Sequence, residues 1–319
     1  MKQMTFAAVA YAAKKKTTKR ERFLQEMEQV VPWDRLEALI APHYPKAGPR
    51  GGRPPMGLSR MLRVWCLQQW FALSDPGCEE ALYDIESMRR FAGFELGEEA
   101  IPDETTILNF RRLLEAHQLS ERIFTEVRDL LEARGLLLRS GTLVDATLIA
   151  APPSTKNETR GRDPDMTQTK KGNTWYFGMK LHVGADRDSG LIHSIQTTTA
   201  KEADCTQIEP LLHGQERSVW ADRGYDYPKV RETIIRRGAL DAVAIRRKPG
   251  EPESDAVDLH NHLVAKVRSR VEHVFRVLKR QFGYTKVRYR GLAKNTSQIQ
   301  GLCALINLYL ARHQLMPRP

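Results

Sequence analysis

Residues 142–150 read TLVDATLIA, a run rich in β-branched and apolar residues that predicts a β-strand. Two further runs, WYFGMKLHVGAD at 175–186 and LIHSIQTTTA at 191–200, predict a second and a third strand. Asp145 stands in the first strand between apolar neighbours, where a carboxylate is costly unless it is paired or holds a cation. This stretch therefore predicts both a β-sheet and a candidate functional site at Asp145.

After the third strand, helical and strand patterns alternate. We expect helices at about 203–213, 227–238 and 258–281, and strands at 218–222 and 240–247. Consecutive strands followed by this alternation are typical of an α/β layer with a mixed sheet. We therefore expect an α/β domain over residues 139–319.

The N-terminal stretch, residues 1–57, has a mixed character. It combines a basic arm, an amphipathic helix at 21–41 that Pro32 interrupts, and a Pro/Gly-rich linker made basic by Arg50 and Arg53. A disordered tail and a DNA-gripping arm are both consistent with the basic residues.

Residues 58–138 show helical periodicity, with one helix capped by Asp75 ahead of Pro76 and another opened by Asp103. This region is either a helix-turn-helix-like DNA-binding module or a helical bundle used for dimerisation. Arg111 and Arg112 are its candidates for contacts with a phosphate backbone.

The distribution of charge indicates a polyanionic partner. The 319 residues include 50 Lys and Arg against 39 Asp and Glu, which gives a formal net charge of +11. Residues 1–60 carry +7 and residues 266–290 carry +8, whereas residues 61–140 carry −6. Basic blocks around an acidic middle favour nucleic acid as the partner.

Composition excludes several other classes of protein. No run approaches 18 apolar residues, so we expect no membrane-spanning helix. The N-terminal basic cluster follows the short apolar run instead of preceding it, so we expect a cytoplasmic protein, associated with the nucleoid when bound to DNA. The four cysteines lie far apart, which argues against a disulfide framework or a cysteine-type zinc site.

Two more acids are candidates for the same chemical centre as Asp145. Asp222 ends the fourth predicted strand, and in open α/β sheets chemistry gathers at the carboxyl ends of strands. Glu272 is the one acid among nine basic residues in 266–290. Acids on strand one, strand four and a late helix match the carboxylate triad of RNase H-like nucleotidyl transferases. We therefore expect an RNase H-like mixed-sheet catalytic core preceded by an all-α N-terminal DNA-binding domain.

The candidate cofactor follows from these oxygen ligands. Carboxylates suit Mg²⁺, which takes phosphate oxygens as further ligands, and a pair of such ions activates the attacking oxygen and stabilises the leaving one. Arg268, Glu272, Arg276 and Lys279 share one helical face, which we expect to point outward as a basic ridge. The opposite face is expected to be an apolar stripe that faces the core, made of Val271, Val274, Phe275 and Leu278. The alternative is that Glu272 is only bridged to Arg268 or Arg276, with no metal.

The sequence resembles the DDE transposases of bacterial insertion sequences, most closely the insertion-sequence-five type, over roughly residues 55–312. The motifs that carry the resemblance are Asp222-Arg223-Gly224-Tyr225 around the second acid, Arg268, Glu272 and Lys279 around the third, PDETTILNFRRLLE at 102–115, and GMKLH at 178–182.

The resemblance implies a DNA transposase that binds the terminal inverted repeats of its element, cleaves the ends and joins their 3′-hydroxyls to target DNA. Asp145, Asp222 and Glu272 would be the catalytic acids and the ligands of Mg²⁺, for which Mn²⁺ could substitute. A homodimer would pair two ends of double-stranded DNA. The candidate DNA-contacting residues are Arg268, Lys279, Arg276, Arg111, Arg112 and Lys180.

One position departs from the family pattern. Ala265 replaces the tyrosine expected three residues before Arg268, so we do not expect a hairpin-forming route for second-strand cleavage. We expect Trp175 and Trp220 in the core instead of in a stacking role. The polar segment 151–174 is expected to be a loop that is flexible until DNA binds.

Two alternatives share the same acids. One is an RNase H-like DNA nuclease without strand transfer, and the other is a catalytically inactive DNA-binding derivative of a transposase. The N-terminal similarity favours the transposase over the nuclease, and the presence of all three acids favours an active enzyme.

Overall fold

The computed structural model describes residues 11, 13–46, 54–97, 100–158, 160–247, 250 and 252–316. The first ten residues of the basic arm and the linker arginines Arg50 and Arg53 lie outside the described residues.

The N-terminal region is helical, as predicted. Its helices are α1 (Lys19–Val30), α2 (Trp33–Ile40), α3 (Leu58–Trp70), α4 (Asp75–Asp84), α5 (Glu86–Ala92), α6 (Glu104–Ala116) and α7 (Leu119–Ala133). The predicted break at Pro32 separates α1 from α2, because proline has no amide hydrogen to continue a helix. Asp103 caps α6 by accepting a hydrogen bond from the Thr106 amide, as its position predicted.

The predicted cap of α4 is wrong by one residue. Ser74 precedes the helix and accepts a hydrogen bond from the Gly77 amide at 3.1 Å, so Ser74 is the cap. Asp75 is the first helical residue, and its carboxylate is used in an ion pair with Arg111.

In the part of the chain that the structure describes, six strands form one mixed sheet. They are β1 (Thr142–Ala150), β2 (Thr167–Lys171), β3 (Thr174–Asp186), β4 (Ile192–Thr199), β5 (Ser218–Ala221) and β6 (Leu240–Val243). β1 is antiparallel to β3, which pairs with both β4 and β2, and β5 and β6 continue parallel to β1. The order β4–β3–β1–β5–β6 is that of an RNase H-like sheet, which confirms the predicted fold class.

Three predicted elements in the second half differ from the structure. Residues 203–213 form two 3₁₀ turns, Asp204–Gln207 and Glu209–Leu211, because Pro210 cannot donate the amide hydrogen bond of a continuous α-helix. The strand predicted at 240–247 ends at Val243, where its four-residue partner β5 also ends. The loop predicted over 151–174 contains β2.

The two tryptophans expected in the core differ from each other. Trp220 packs against the core, and its indole N–H donates to the Ser218 hydroxyl at 2.9 Å. The expectation for Trp175 is wrong, because its side chain is 65% exposed. Trp175 belongs to the four residues of β3 before Gly178, which extend past the end of β1, so its side chain lies outside the packed core.

The remaining helices cover the sheet. They are α8 (Pro228–Arg236), α9 (Asp255–Arg276) and α10 (Leu292–Leu315), and a π-helical segment, Val277–Gln281, continues α9. Val271, Val274 and Leu278 are buried, which confirms the predicted apolar stripe of α9.

Helix α10 lies at the centre of the molecule. The Asn307 side chain bonds both backbone groups of Ile192 on β4, each at 2.7 Å, and Arg312 reaches Glu26 on α1. At Gly301, a Cβ atom would lie 2.6 Å from the Trp65 ring of α3, so the helices approach closely there. A single apolar cluster runs from α1 to the sheet, and the division of the chain into three domains stays a prediction.

No helix among the described residues is long and apolar enough to cross a membrane. Cys66, Cys78, Cys205 and Cys303 are free cysteines.

Candidate active site

The site begins where two parallel strands part. β1 and β5 pair only at Thr142 with Val219 and at Leu143 with Trp220. Continuing this register by two residues sets Asp145 opposite Asp222, where the two strands no longer exchange hydrogen bonds. The structure therefore brings these two predicted acids to the same opening in the sheet.

Local geometry orients Asp222. Its carboxylate caps the 3₁₀ turn Arg223–Tyr225 by accepting a hydrogen bond from the Gly224 amide at 2.7 Å. A Cβ atom on residue 224 would lie 2.8 Å from the same carboxylate oxygen. Glycine at this position thus allows the carboxylate to fold back onto the turn.

Asp145 is largely buried, with 18% of its side chain exposed. Its carboxylate accepts hydrogen bonds from the Arg268 guanidinium and from the Ala146 amide, both at 2.8 Å. Burial raises the pKa of Asp145 to about 6, helped by the negative charges of Asp222 and Asp204 and opposed by Arg268 and the amide bond. Arg268 is thus a direct partner of the predicted catalytic acid.

Glu272 lies one helical turn beyond Arg268. Its side chain is exposed, and it forms no hydrogen bond or ion pair within the described part of the chain. Two neighbours on its helical face, Arg268 and Lys279, reach β1, whereas Glu272 and Arg276 are exposed, so only part of this face points outward as expected. The role of Glu272 as third ligand stays a prediction.

Asp204 is a functional candidate that the sequence analysis missed. It begins the 3₁₀ turn after β4, and its carboxylate forms an ion pair with Lys180 at 2.8 Å. The segment was predicted as a helix, in which Asp204 resembles an ordinary first-turn acid. Only the packing of its turn against the turn that follows Asp222 brings it to the site.

Two buried polar side chains face this cluster of acids. Tyr225 is 1% exposed, its hydroxyl has no hydrogen-bond partner among the described residues, and burial together with the charges of Asp145, Asp204 and Asp222 raises its pKa. His182 is fully buried; burial and Lys180 lower its pKa to about 4, against the charge of Asp204. The sequence signal for Tyr225 was its place in the motif Asp222-Arg223-Gly224-Tyr225.

The predicted DNA-contacting residues fall into two groups, those with exposed side chains and those whose side chains bond within the protein. Arg112 and Arg276 are exposed. Lys279 donates to the Leu148 carbonyl at 2.8 Å, and burial and the charge of Lys171 lower its pKa. Lys180 donates to the Glu202 carbonyl at 2.7 Å besides pairing with Asp204.

Arg111 does not face a phosphate backbone. Its guanidinium pairs with Asp75 at 2.8 Å and with Glu115 at 3.2 Å, and it lies over the ring of Tyr289 at 4.0 Å. These contacts use the cation inside the protein, where it ties α6 to α4 and to the segment before α10.

The donor set suits a hard divalent cation. Asp145 and Asp222 offer carboxylate oxygens at one opening, and their mutual repulsion is one of the causes of the raised pKa of Asp145. Among the residues that the structure describes, no three His, Cys, Asp or Glu side chains are close enough to hold a metal ion together.

Two family models and one solved structure match this chain. Residues 137–308 match the family model described as "Transposase DDE domain", and residues 12–113 match "Transposase domain (DUF772)". Among solved structures, the cryo-EM structure of a piggyBac transposase synaptic complex with hairpin DNA aligns over 91% of this chain and 73% of that chain. The aligned sequences are 9% identical, and the TM-score is 0.48.

Proposed function

Because this chain belongs to the family of the Transposase DDE domain, we propose that it is a DNA transposase that cleaves the ends of its element and joins them to target DNA. Transposases act on DNA, and DDE transposases use divalent metal ions. We infer that the DNA bound first is the terminal inverted repeat of the element, and that two copies of the chain pair two ends. The family match does not specify the insertion-sequence-five type, which stays a prediction.

One observation carries this proposal. Asp145 and Asp222 meet where β1 and β5 part, and Arg268 fixes the Asp145 carboxylate at 2.8 Å. Two carboxylates at one edge of a mixed sheet, beside the segment 266–290 with its nine basic residues, can hold a cation against a phosphodiester.

Asp145, Asp222 and Glu272 are the proposed ligands of Mg²⁺, with Mn²⁺ as a substitute. Glu272 lies one helical turn from Arg268, which contacts Asp145, and this position on the helix supports its assignment as the third ligand. A bound ion would supply Lewis acidity at the scissile phosphate. Arg268 and Lys279 would hold the phosphate backbone in line with the acids.

The experiment that tests the proposal uses the full chain and labelled element-end DNA with Mg²⁺. We expect Asp145→Asn, Asp222→Asn and Glu272→Gln each to reduce cleavage and joining by at least about a thousandfold, the scale on which catalytic groups act, while end binding stays near the wild-type level. Asp258→Asn, an exposed acid on the same helix as Glu272, is the matched control and should remain active.

The products separate the remaining alternatives. Joined donor–target molecules support the transposase, whereas cleavage without joining indicates a nuclease. Equal rates for wild-type protein and Asp145→Asn would indicate a catalytically inactive DNA-binding derivative. Near-normal cleavage by Glu272→Gln alone would remove only that residue from the assignment.

A further inference from the structure

Residues 167–178 form a β-hairpin that extends beyond the rest of the sheet. β2 pairs with the start of β3, and Gly172 and Asn173 form the two-residue turn between them. Gly172 has a φ of 60°, which a glycine adopts readily at the first position of such a turn. All seven residues from 170 to 176 are exposed, including Trp175 at 65% and Tyr176 at 38%.

The hairpin tip combines aromatic and basic side chains. Lys170 pairs directly with Trp175 in the register, so the two side chains share one face. The Arg162 guanidinium lies 5.5 Å from the ring of Phe177, which is on that same face. A single exposed tryptophan is common on protein surfaces. Two aromatic side chains beside several cations, by contrast, suit a nucleic acid, which offers phosphates to the cations and flat bases to the aromatic rings.

The tip is also electrostatically continuous with the candidate active site. Lys171 is close enough to Lys279 to lower the pKa of that lysine, and Lys279 contacts β1 at the Leu148 carbonyl. A line of positive charge therefore runs from the helix beside Asp145 to the hairpin. Phosphates bound along this line belong to one continuous stretch of backbone.

The length of β3 fixes where such DNA meets the hairpin. Asp145 is paired with Val183, and Trp175 lies eight residues earlier on β3. At a strand rise of about 3.3 Å per residue, the two side chains are roughly 26 Å apart. Trp175 is thus too far away to take the place of the missing tyrosine at the scissile phosphate. At about 3.4 Å per base pair, the distance corresponds to roughly eight base pairs.

We propose that the hairpin 167–178 is a second DNA-contacting element, which grips duplex DNA about eight base pairs from the phosphodiester held at Asp145. A two-stranded β-ribbon fits a DNA groove, with lysines at its edges to pair with phosphates. Lys170 and Lys171 contact the backbone, and Trp175, on the face that it shares with Lys170, packs on sugar and base edges in the groove. The inference rests on the proposed function, because it takes the scissile phosphodiester to lie at Asp145.

The test measures the affinity of the full chain for element-end duplexes that extend about 5 or about 15 base pairs from the cleavage point, shorter and longer than the predicted contact. We expect Trp175→Ala to weaken binding of the long duplex about tenfold and to leave binding of the short one unchanged. Lys170→Ala with Lys171→Ala should reduce the salt dependence of binding by about two phosphate contacts, again only for the long duplex. Ile235→Ala, equally exposed at 64% on α8, is the matched control.

The outcomes separate this inference from the proposed function. If wild-type protein cleaves and joins ends but the hairpin variants bind both duplexes as wild type does, the hairpin assignment is wrong and the function stands. If the wild-type protein neither cleaves nor joins, the proposed function fails, whereas a length-dependent loss of binding still supports the hairpin contact. Variants that change only the oligomeric state would show that the hairpin contacts a second copy of the chain and would overturn the assignment.

Discussion

The environment of Asp145 makes a prediction about stability at the scale of one residue. Its pKa rises from 3.8 to about 6 in the folded protein, so folding favours its protonated form. This preference adds to the free energy of unfolding below about pH 4. The contribution is lost as pH rises through about 6, which lowers the free energy of unfolding by about 3 kcal/mol. Asp145→Asn, which mimics the protonated acid, should not show this loss.

The measurement is chemical denaturation of both proteins from pH 4 to pH 8 without divalent ions. We expect Asp145→Asn to be more stable than wild type by up to about 3 kcal/mol at pH 8 and nearly equal to it at pH 4. Asp129→Asn, an exposed acid on α7, should follow the wild-type curve. A constant difference between wild type and Asp145→Asn at every pH would contradict the proposed cause.

The sequence identified some residues of the site and not others for a physical reason. Asp145 and Asp222 were predictable, because a charge inside an apolar strand and a charge at a strand end are local signals. Asp204 was not, since its position depends on two 3₁₀ turns packing together. The partner of Arg111 was also not predictable, because Asp75 lies 36 residues away along the chain.

At the scale of elements, the contact between α10 and α3 makes a second prediction. Gly301→Ala would favour the helix by about 1 kcal/mol on propensity alone. The new methyl group would lie 2.6 Å from the Trp65 ring, and overpacking of this kind costs about 1–3 kcal/mol. We expect a net destabilisation, measured by urea denaturation.

A double variant tests the cause of this loss. Trp65→Phe removes the ring atoms that the methyl group would meet, so Gly301→Ala should be better tolerated in that background. If the effects of the two substitutions simply add, the close approach of the helices is not the reason for the glycine.

The elements that the sequence did not predict are those without a periodic signal. Helix α10 buries residues on all sides, among them eight consecutive positions from Gly301 to Leu308, so no single apolar stripe marks it. Strand β2 has no buried residue and reads as a polar loop. By contrast, α9 has one apolar stripe, and its core face was predicted correctly.

At the scale of the whole molecule, α10 joins the helical region to the sheet. Its side chains bond to α3 through Gln298 and Gln69 at 3.1 Å, to α7 through Ser297 and Ser120 at 3.1 Å, and to β4 through Asn307. The apolar cluster around it is continuous from α1 to β4. A second apolar cluster, on β1, β5, β6 and α8, contains no residue of α10, so α10 joins the helical region to only one of the two clusters of the sheet.

This architecture predicts that the helical region and the sheet unfold together. We expect amide hydrogens of α7 and of β4 to exchange with the same dependence on denaturant, as measured by hydrogen exchange and mass spectrometry. Leu305→Ala, in the buried centre of α10, should lower the free energy of unfolding reported by both elements by about 2–5 kcal/mol. Were α7 to open at lower denaturant than β4, and Leu305→Ala to affect only one of them, the helices would form an independent domain in spite of their shared core.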